Sequence, residues 1–566
     1  MHPRRIAARA LASTLLLVGL VDAAATGQSQ PPIRVIFDNH MDPLPPIDLE
    51  ARHEVYLDHI SWVTWALDQV EPLGVQVSFL SCGEFMEFVS EEGALGPGAA
   101  LLRRLYGMGR QIGSHSHQEY QRGAHDWPDV PVPDLNWSRR SWSDNIRLVN
   151  DGILTALGPD LPEPLANINC VKGAHLPKTE AEYHELMSEF DLGIRQAGPE
   201  EDYYAYFNHH IWHPFRPSAA NYLAEDLTAP FVAVPAGPVI GQAAVHHGIF
   251  QDMTAPNVKR MFLQAYLNWR FCDRQARPEK IWTFGWASHG HDFAPGSESR
   301  AALVEVTSWL QADFMNSFEP TGSKVATWST YRETAAAYRD WEAAHPGSSS
   351  FSFDGGRVRW SEYPWLRAVA EELEQAHYVD RLSLPGDVQG HLLERDDSGM
   401  AVLWDATDSA VIDLSAWLQA PVRIVDLESG LLVGSDPAAV PVSTSPVIAT
   451  EYAPHVTLEG VPRIGETITL RVYGRPGEIA LLFVSGGGLV ADSPHHGRLL
   501  LDPSRGFLRL AAGVIPPPLG FFPVAIPLPD DGNLVGLEVH FQGIVTRFEG
   551  AGWLFTVDDV VVTIEG

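Results

Sequence analysis

From residue 33 to about 340, short β-type runs alternate with amphipathic helical stretches, and this alternation narrows the possible folds more than anything else in the chain. The strand candidates are Ile33–Phe37, Val75–Leu80, Gln111–Gly113, Ala166–Val171, Leu192–Arg195, Phe231–Val234, Lys280–Gly285 and Lys324–Thr327. Between them, apolar residues recur at helical spacing over 53–72, 99–109, 179–189, 256–275, 298–316 and 330–344. Strands separated by helices are joined by crossovers, so neighbouring strands run parallel and the helices cover the faces of the sheet. Seven or eight such units over about 300 residues predict a distorted (β/α)7-8 barrel spanning 31–345.

The texture changes after His345–Ser350, where helical stretches become rare and β-runs bounded by Gly, Pro and Asp take over. Met400–Trp404, Val422–Leu427 and Ser445–Ala449 predict a β-sandwich over 351–453. Past a Tyr452–Pro454 joint, Gly465–Tyr473 alternates strictly, Ala480–Val484 reads as a buried strand and Val560–Ile564 closes the chain. These runs predict a further all-β domain over 456–566. A chain of 566 residues exceeds what one core holds together, which agrees with several domains.

The N-terminal 1–30 segment is set apart from the fold. Arg4, Arg5 and Arg9 precede a short apolar run, Leu11–Val21, and Ala23–Ala25 offers a small-residue cleavage site. This pattern is that of a secretory signal peptide and predicts a secreted or periplasmic protein without a membrane span, because the apolar run is too short to cross a bilayer. With 39 Lys and Arg against 71 Asp and Glu, the formal net charge is −32. Such a surface repels phosphate backbones and argues against nucleic acid as a partner. Three cysteines, Cys82, Cys170 and Cys272, are too few for a disulfide framework and read as buried, inert thiols.

In parallel βα folds, reactive side chains stand just after strand C-termini. Three of these strand ends carry histidine with carboxylate: Asp38-Asn39-His40-Met41-Asp42, then Ser114-His115-Ser116-His117-Gln118-Glu119, then Ser288-His289-Gly290-His291-Asp292. Imidazole nitrogen and carboxylate oxygen are the donors that a divalent ion such as zinc takes, and a position left open to water makes such an ion catalytic. Lys172 and His175 follow a fourth strand and fall at the same predicted mouth. His209, His210 and His213 lie beside Pro214 and Pro217, which argues for a loop, and read as packing or surface residues.

At these motifs the first domain resembles the NodB-like polysaccharide deacetylases, carbohydrate esterase family 4. Ile36–Asn39 stands where that family has its Asp-Asp motif, Gln111–Ser116 matches its His-containing second motif, Lys172–Pro177 falls at its Arg-x-Pro stretch, and Ser288-His289 lies near its late His. Asn39 stands where the family carries a metal-binding Asp, which leaves that role to His40 or Asp42. Glu119 stands at the second His position, which leaves that role to Glu119 or to His117.

The resemblance implies a divalent metal ion, zinc in type, held by His40, Asp42, His115 and His117. It implies Asp38 as base on the bound water and His289 as acid to the leaving group. Lys172, His175, His291 and Asp292 are expected to contact a polysaccharide or glycan substrate that loses N- or O-acetyl groups. Two other readings of the same residues stand beside it. A glycoside hydrolase needs two carboxylates flanking the bond, and Asp38 or Asp42 with Asp292 offers that pair. A non-catalytic carbohydrate-binding protein is compatible with the substitutions at 39 and 119.

Overall fold

The computed structural model describes residues 30–42, 49–116, 138–161, 163–173, 179–196, 213–235, 243–246, 249–252, 254–272, 280–320 and 322–350 of the first region. Beyond it, 353–354, 357–358, 373, 376–395, 398–418, 422–427, 432–435, 437–451, 454–474, 478–493, 497–516, 521–547, 552–556 and 559–566 are described. Residues 1–29 of the segment expected as a signal peptide lie outside the described residues. Contacts divide the chain into two compact units, Met1–Leu373 and Glu374–Gly566.

The first unit is mixed α/β. Its elements run β1 (Ile33–His40), α1 (Leu49–Val70), β2 (Val77–Ser81), α2 (Gly83–Glu92), α3 (Pro97–Gly109), β3 (Gln111–Ser116), α4 (Ser138–Leu157), α5 (Leu165–Ile168), β4 (Val171–Gly173), α6 (Glu180–Glu189) and β5 (Ile194–Arg195). After the hairpin β6 (Pro217–Ser218) and β7 (Asn221–Glu225) come β8 (Val232–Ala233) and the hairpin β9 (Ala243–His246) and β10 (Ile249–Asp252). Then follow α7 (Ala255–Leu267), β11 (Thr283–His289), α8 (Glu298–Asp313), β12 (Ala326–Ser329) and α9 (Tyr331–Ala344). The helix boundaries follow local chemistry. Gly74 and Arg110 adopt positive φ where the segments ahead of β2 and β3 stop. Thr330 and Glu333 form a reciprocal capping box that starts α9.

One sheet carries the fold, in the order β11-β1-β2-β3-β4-β5-β8, with β12 also paired to β1. Every pairing in it is parallel, as the alternation predicts. The sheet curls. One buried cluster takes in Ile36 of β1, Leu80 of β2, Ile194 of β5, Val232 of β8 and Ile281 just before β11, together with Tyr331, Tyr338 and Trp341 of α9. No ladder joins β8 to β11 among the described residues, but Thr283 Oγ1 donates to Pro235 O at 3.4 Å between these two ends.

The run Ala166–Val171, expected as a strand, opens in the short helix α5, which ends at Ile168. Pro164 caps it at the N-terminal side, and only Val171–Gly173 joins the sheet. Gly113 on β3 has no room for a side chain, because a Cβ there would lie 2.7 Å from Cys170 O and 2.8 Å from Cys170 Sγ. Gly113→Ala is therefore expected to destabilise the unit by about 1–3 kcal/mol, read as a shifted denaturant midpoint. An unchanged midpoint would contradict this packing. Cys82 and Cys170 are buried and in no disulfide among the described residues, and burial holds the Cys82 thiol well above its usual range.

The second unit is all β among its described residues apart from short turns. A six-stranded antiparallel sheet from His377–Arg381 to Val447–Glu451 and the pair Ala410–Ile412 with Val440–Val442 share one apolar cluster containing Leu403, Ile412, Ile424, Val440 and Ala449. Strands from Val456–Glu459 onward form the pair Gly488–Ser493 with Gly497–Leu501, and a three-stranded and a five-stranded sheet that share Ile468, Leu470, Leu482, Phe541 and Val562.

His391 is buried in this unit against Trp404, with Tyr378 Oη 3.2 Å from its Nδ1. Burial, with Arg381 nearby, pushes its imidazole down to about 3. The unfolded chain therefore takes this proton first. The stability that neutral His391 supplies is complete above about pH 6.5 and is lost as pH falls towards about 3. Urea midpoints of the second unit's transition are expected to drop between pH 7 and pH 4.5, and to drop less in His391→Leu. An equal drop in both proteins would refute this source.

Candidate metal centre

β1 alternates its side chains, so Ile36, Asp38 and His40 share one face. Ile36 belongs to the apolar cluster on α9, and Asp38 and His40 continue that face towards the C-terminal end of the strand. The parallel register does the rest. His40 pairs with His289 of β11, Asp38 with Ala287, and His40 also with Leu80 of β2. Leu80 pairs in turn with Gly113, and His115 stands two residues further along β3 on the same face. Three histidines distant in sequence are thereby forced together at adjacent strand ends.

Their rings meet closely. The His40 centroid lies 4.3 Å from that of His115 and 4.2 Å from that of His289. Asp42, just past β1, joins them: its Oδ1 is 3.2 Å from His115 Nε2 and its Oδ2 is 3.4 Å from His289 Nε2. His40, Asp42 and His115 place one ligand atom each within 4.8 Å of one another. So do Asp42, His289 and His291. Two imidazoles with one carboxylate suit zinc and its neighbours better than magnesium or calcium. The donor set therefore fits the expected ion.

Around these residues stand groups that orient them. Asp38 is fully buried behind His40, with Oδ1 3.7 Å from His40 Nδ1, and it accepts a hydrogen bond from Tyr331 Oη at 2.8 Å on Oδ2. The alternation of β1 that aligns Asp38 with His40 also sinks it one pleat below the strand end. Asp292 lies in the 3-10 turn Gly290–Phe293 that follows β11. It accepts from His289 N at 2.7 Å and lies 3.1 Å from His289 Nδ1, so it pins that imidazole. His291 is about half exposed and stacks on His289 with centroids 4.9 Å apart.

Asn39 points elsewhere, donating to Ser288 O at 3.1 Å, which agrees with its exclusion as a ligand. His213 is buried against Trp282, with Nδ1 2.9 Å from Ile281 O, a packing position. His117 and His175 lie outside the described residues, as do His209 and His210. The Lys172 backbone pairs with His115 in the sheet, and its side chain lies outside what is described.

His59 was not legible as part of this neighbourhood. It sits on α1, buried, its ring 5.2 Å from Trp62 and 6.4 Å from His291, and burial pushes it down to about 4. The only sequence signal is its place on the helix that follows the first strand.

No helix among the described residues is long and apolar enough to cross a membrane. No protein-family model matches the chain, and no curated protein does. Three of the solved structures with partial similarity are the following. An AA10 lytic polysaccharide monooxygenase from Streptomyces lividans is 15% identical with a TM-score of 0.13, covering 19% of this chain and 59% of its own. The 4-alpha-glucanotransferase from Thermococcus litoralis is 11% identical with a TM-score of 0.32, covering 91% and 85%. The sporulation control protein Spo0M from Bacillus subtilis is 19% identical with a TM-score of 0.12, covering 20% and 50%. At these scores none of the three assigns this chain a family or an activity.

Proposed function

We propose that this chain is an exported metal-dependent hydrolase that acts on carbohydrate, and that it removes N- or O-acetyl groups from a polysaccharide. The observation that carries the reading is the meeting of His40, Asp42 and His115, with ligand atoms within 4.8 Å, on adjacent ends of a parallel sheet. The substrate class comes from the motifs at Ile36–Asn39 and Gln111–Ser116 that resemble the NodB-like deacetylases, whose distorted barrel the curled sheet would represent here.

His40, Asp42 and His115 would hold the ion, with His117 as a further candidate. A bound ion of this type polarises an acyl carbonyl and lowers the pKa of water. The residues of the chain do the remainder. Asp38, held by Tyr331, has Oδ1 3.7 Å from His40 Nδ1, so its charge rather than a hydrogen bond would act on that imidazole from behind. His289, pinned by Asp292, presents Nε2 beside Asp42 at the strand ends. It is placed to take the proton from attacking water as the oxygen bonds the acyl carbon. It then returns that proton to the departing nitrogen or oxygen as the acyl bond breaks, so one imidazole serves both transfers. Asp38 is thus assigned to positioning, and Asp292 to holding His289 rather than to substrate.

The two-carboxylate alternative is less well served. The His289 ring stands between Asp42 and Asp292, beside a carboxylate at each nitrogen, where a glycosidic bond would have to lie.

Acetate release from an acetylated glycan tests the reading. Activity should vanish in chelator-treated protein and return with added zinc, with no new reducing ends. Full activity in chelator, or new reducing ends without acetate, would overturn it. Asp38→Asn and Tyr331→Phe should each weaken zinc binding by about 10–100-fold in competition titrations. Wild-type affinity in both would remove Asp38 from its positioning role.

A further inference from the structure

We infer that Asp42, His289 and His291 form a second, weaker site for a zinc-type divalent cation, and that filling this site silences His289. The ion site stands on geometry alone; the silencing rests on the role proposed for His289 above.

Asp42 turns its two oxygens in different directions. Oδ1 faces His115 Nε2 at 3.2 Å and Oδ2 faces His289 Nε2 at 3.4 Å. One carboxylate therefore serves both histidine groups, which adjoin through His40 and His289, and Asp42 is the one residue the two groups share. A carboxylate spanning neighbouring cations in this way is a usual element of two-ion centres.

The turn after β11 completes the second group. His289 and His291 stand one residue apart across Gly290, with ring planes only 14° from parallel. Asp42, His289 and His291 bring ligand atoms within 4.8 Å. The turn is held in place by close packing, because a Cβ at Gly290 would lie 2.3 Å from Met41 Sδ. Asp292 stands behind both rings, 3.1 Å from His289 Nδ1 and 3.7 Å from His291 Nε2. A carboxylate behind ligating imidazoles raises their basicity. Two imidazoles and one carboxylate favour zinc, copper or nickel over magnesium and calcium.

The second site is the weaker for two reasons. An ion held by His40 and His115 already draws on the charge of Asp42. His291 is about half exposed, so its side chain must be ordered when an ion binds. Silencing follows from lone pairs. His289 Nε2 has one, and a lone pair given to a cation cannot receive the proton of water.

Equilibrium dialysis of the metal-stripped full chain with zinc chloride tests the site. Wild type should bind two equivalents, one tight and one weak, whereas His291→Ala and His291→Gln should bind the tight one only. Acetate release by wild type should rise through the first equivalent, then fall about 100-fold as the second fills. In the His291 variants, activity should hold at each variant's own one-equivalent value. A single equivalent in wild type, or two in the His291 variants, overturns the site. Undiminished release at the second equivalent overturns the silencing. Absence of acetate release at any zinc load removes the silencing together with the hydrolase reading, and dialysis then decides the ion site by itself.

Discussion

His289→Ala should release acetate about 10²–10⁴-fold more slowly than wild type, the usual worth of a positioned proton carrier, while it keeps its tightly bound ion. The two readouts together separate two roles for one imidazole. His289 stands beside Asp42 through Nε2 and beside Asp292 through Nδ1, a geometry that also suits a metal ligand. A variant that lost the tight ion along with activity would make His289 part of the primary metal set. Asp292→Asn should give a smaller loss, because it loosens the imidazole without removing it. Equal losses in both variants would mean that the pair acts as one unit.

Glu180→Ala should cost the first unit about 3–5 kcal/mol, the penalty of stranding a buried charge. Arg195 is fully buried on β5. Its Nη1 and Nη2 donate to Glu180 Oε2 and Oε1 at 2.6 and 2.9 Å, and its guanidinium lies between the rings of Tyr183 and Tyr222 at 4.0 and 4.6 Å. The pair fastens α6 to the sheet. Removing both charges together, as in Glu180→Leu/Arg195→Met, should recover much of the loss, since no lone buried charge remains. Chemical denaturation of the three proteins checks this. A double variant as unstable as Glu180→Ala would show that the hydrogen bonds, not the stranded charge, set the cost.

The parallel sheet was legible because period-2 and period-3.6 runs alternate from Ile33 to Ala344, and crossovers then force strand direction. The strand ends were legible as well: the clusters at 38–42, 115 and 289–292 do meet. What the pattern could not show was depth and register. Asp38 and His40 look equivalent in a list of polar residues, yet the pleat buries the first behind the second. Asp292 reads as a substrate contact in the sequence, and the 3-10 turn folds it back on His289. Ala166–Val171 has the composition of a strand, and Pro164 starts a helix there instead. His59 comes to the site only through the packing of α1, a long-range contact without a local signature.

Metal content bears most directly on the central claim that His40, Asp42 and His115 form a metal centre. The full chain, dialysed against metal-free buffer, and its His40→Ala/His115→Ala variant would be compared by elemental analysis. About one zinc-type ion per wild-type chain is expected, and none in the variant. A wild-type protein that holds no ion even after reconstitution with zinc, or a variant that keeps it, would rule out a metal centre at these residues.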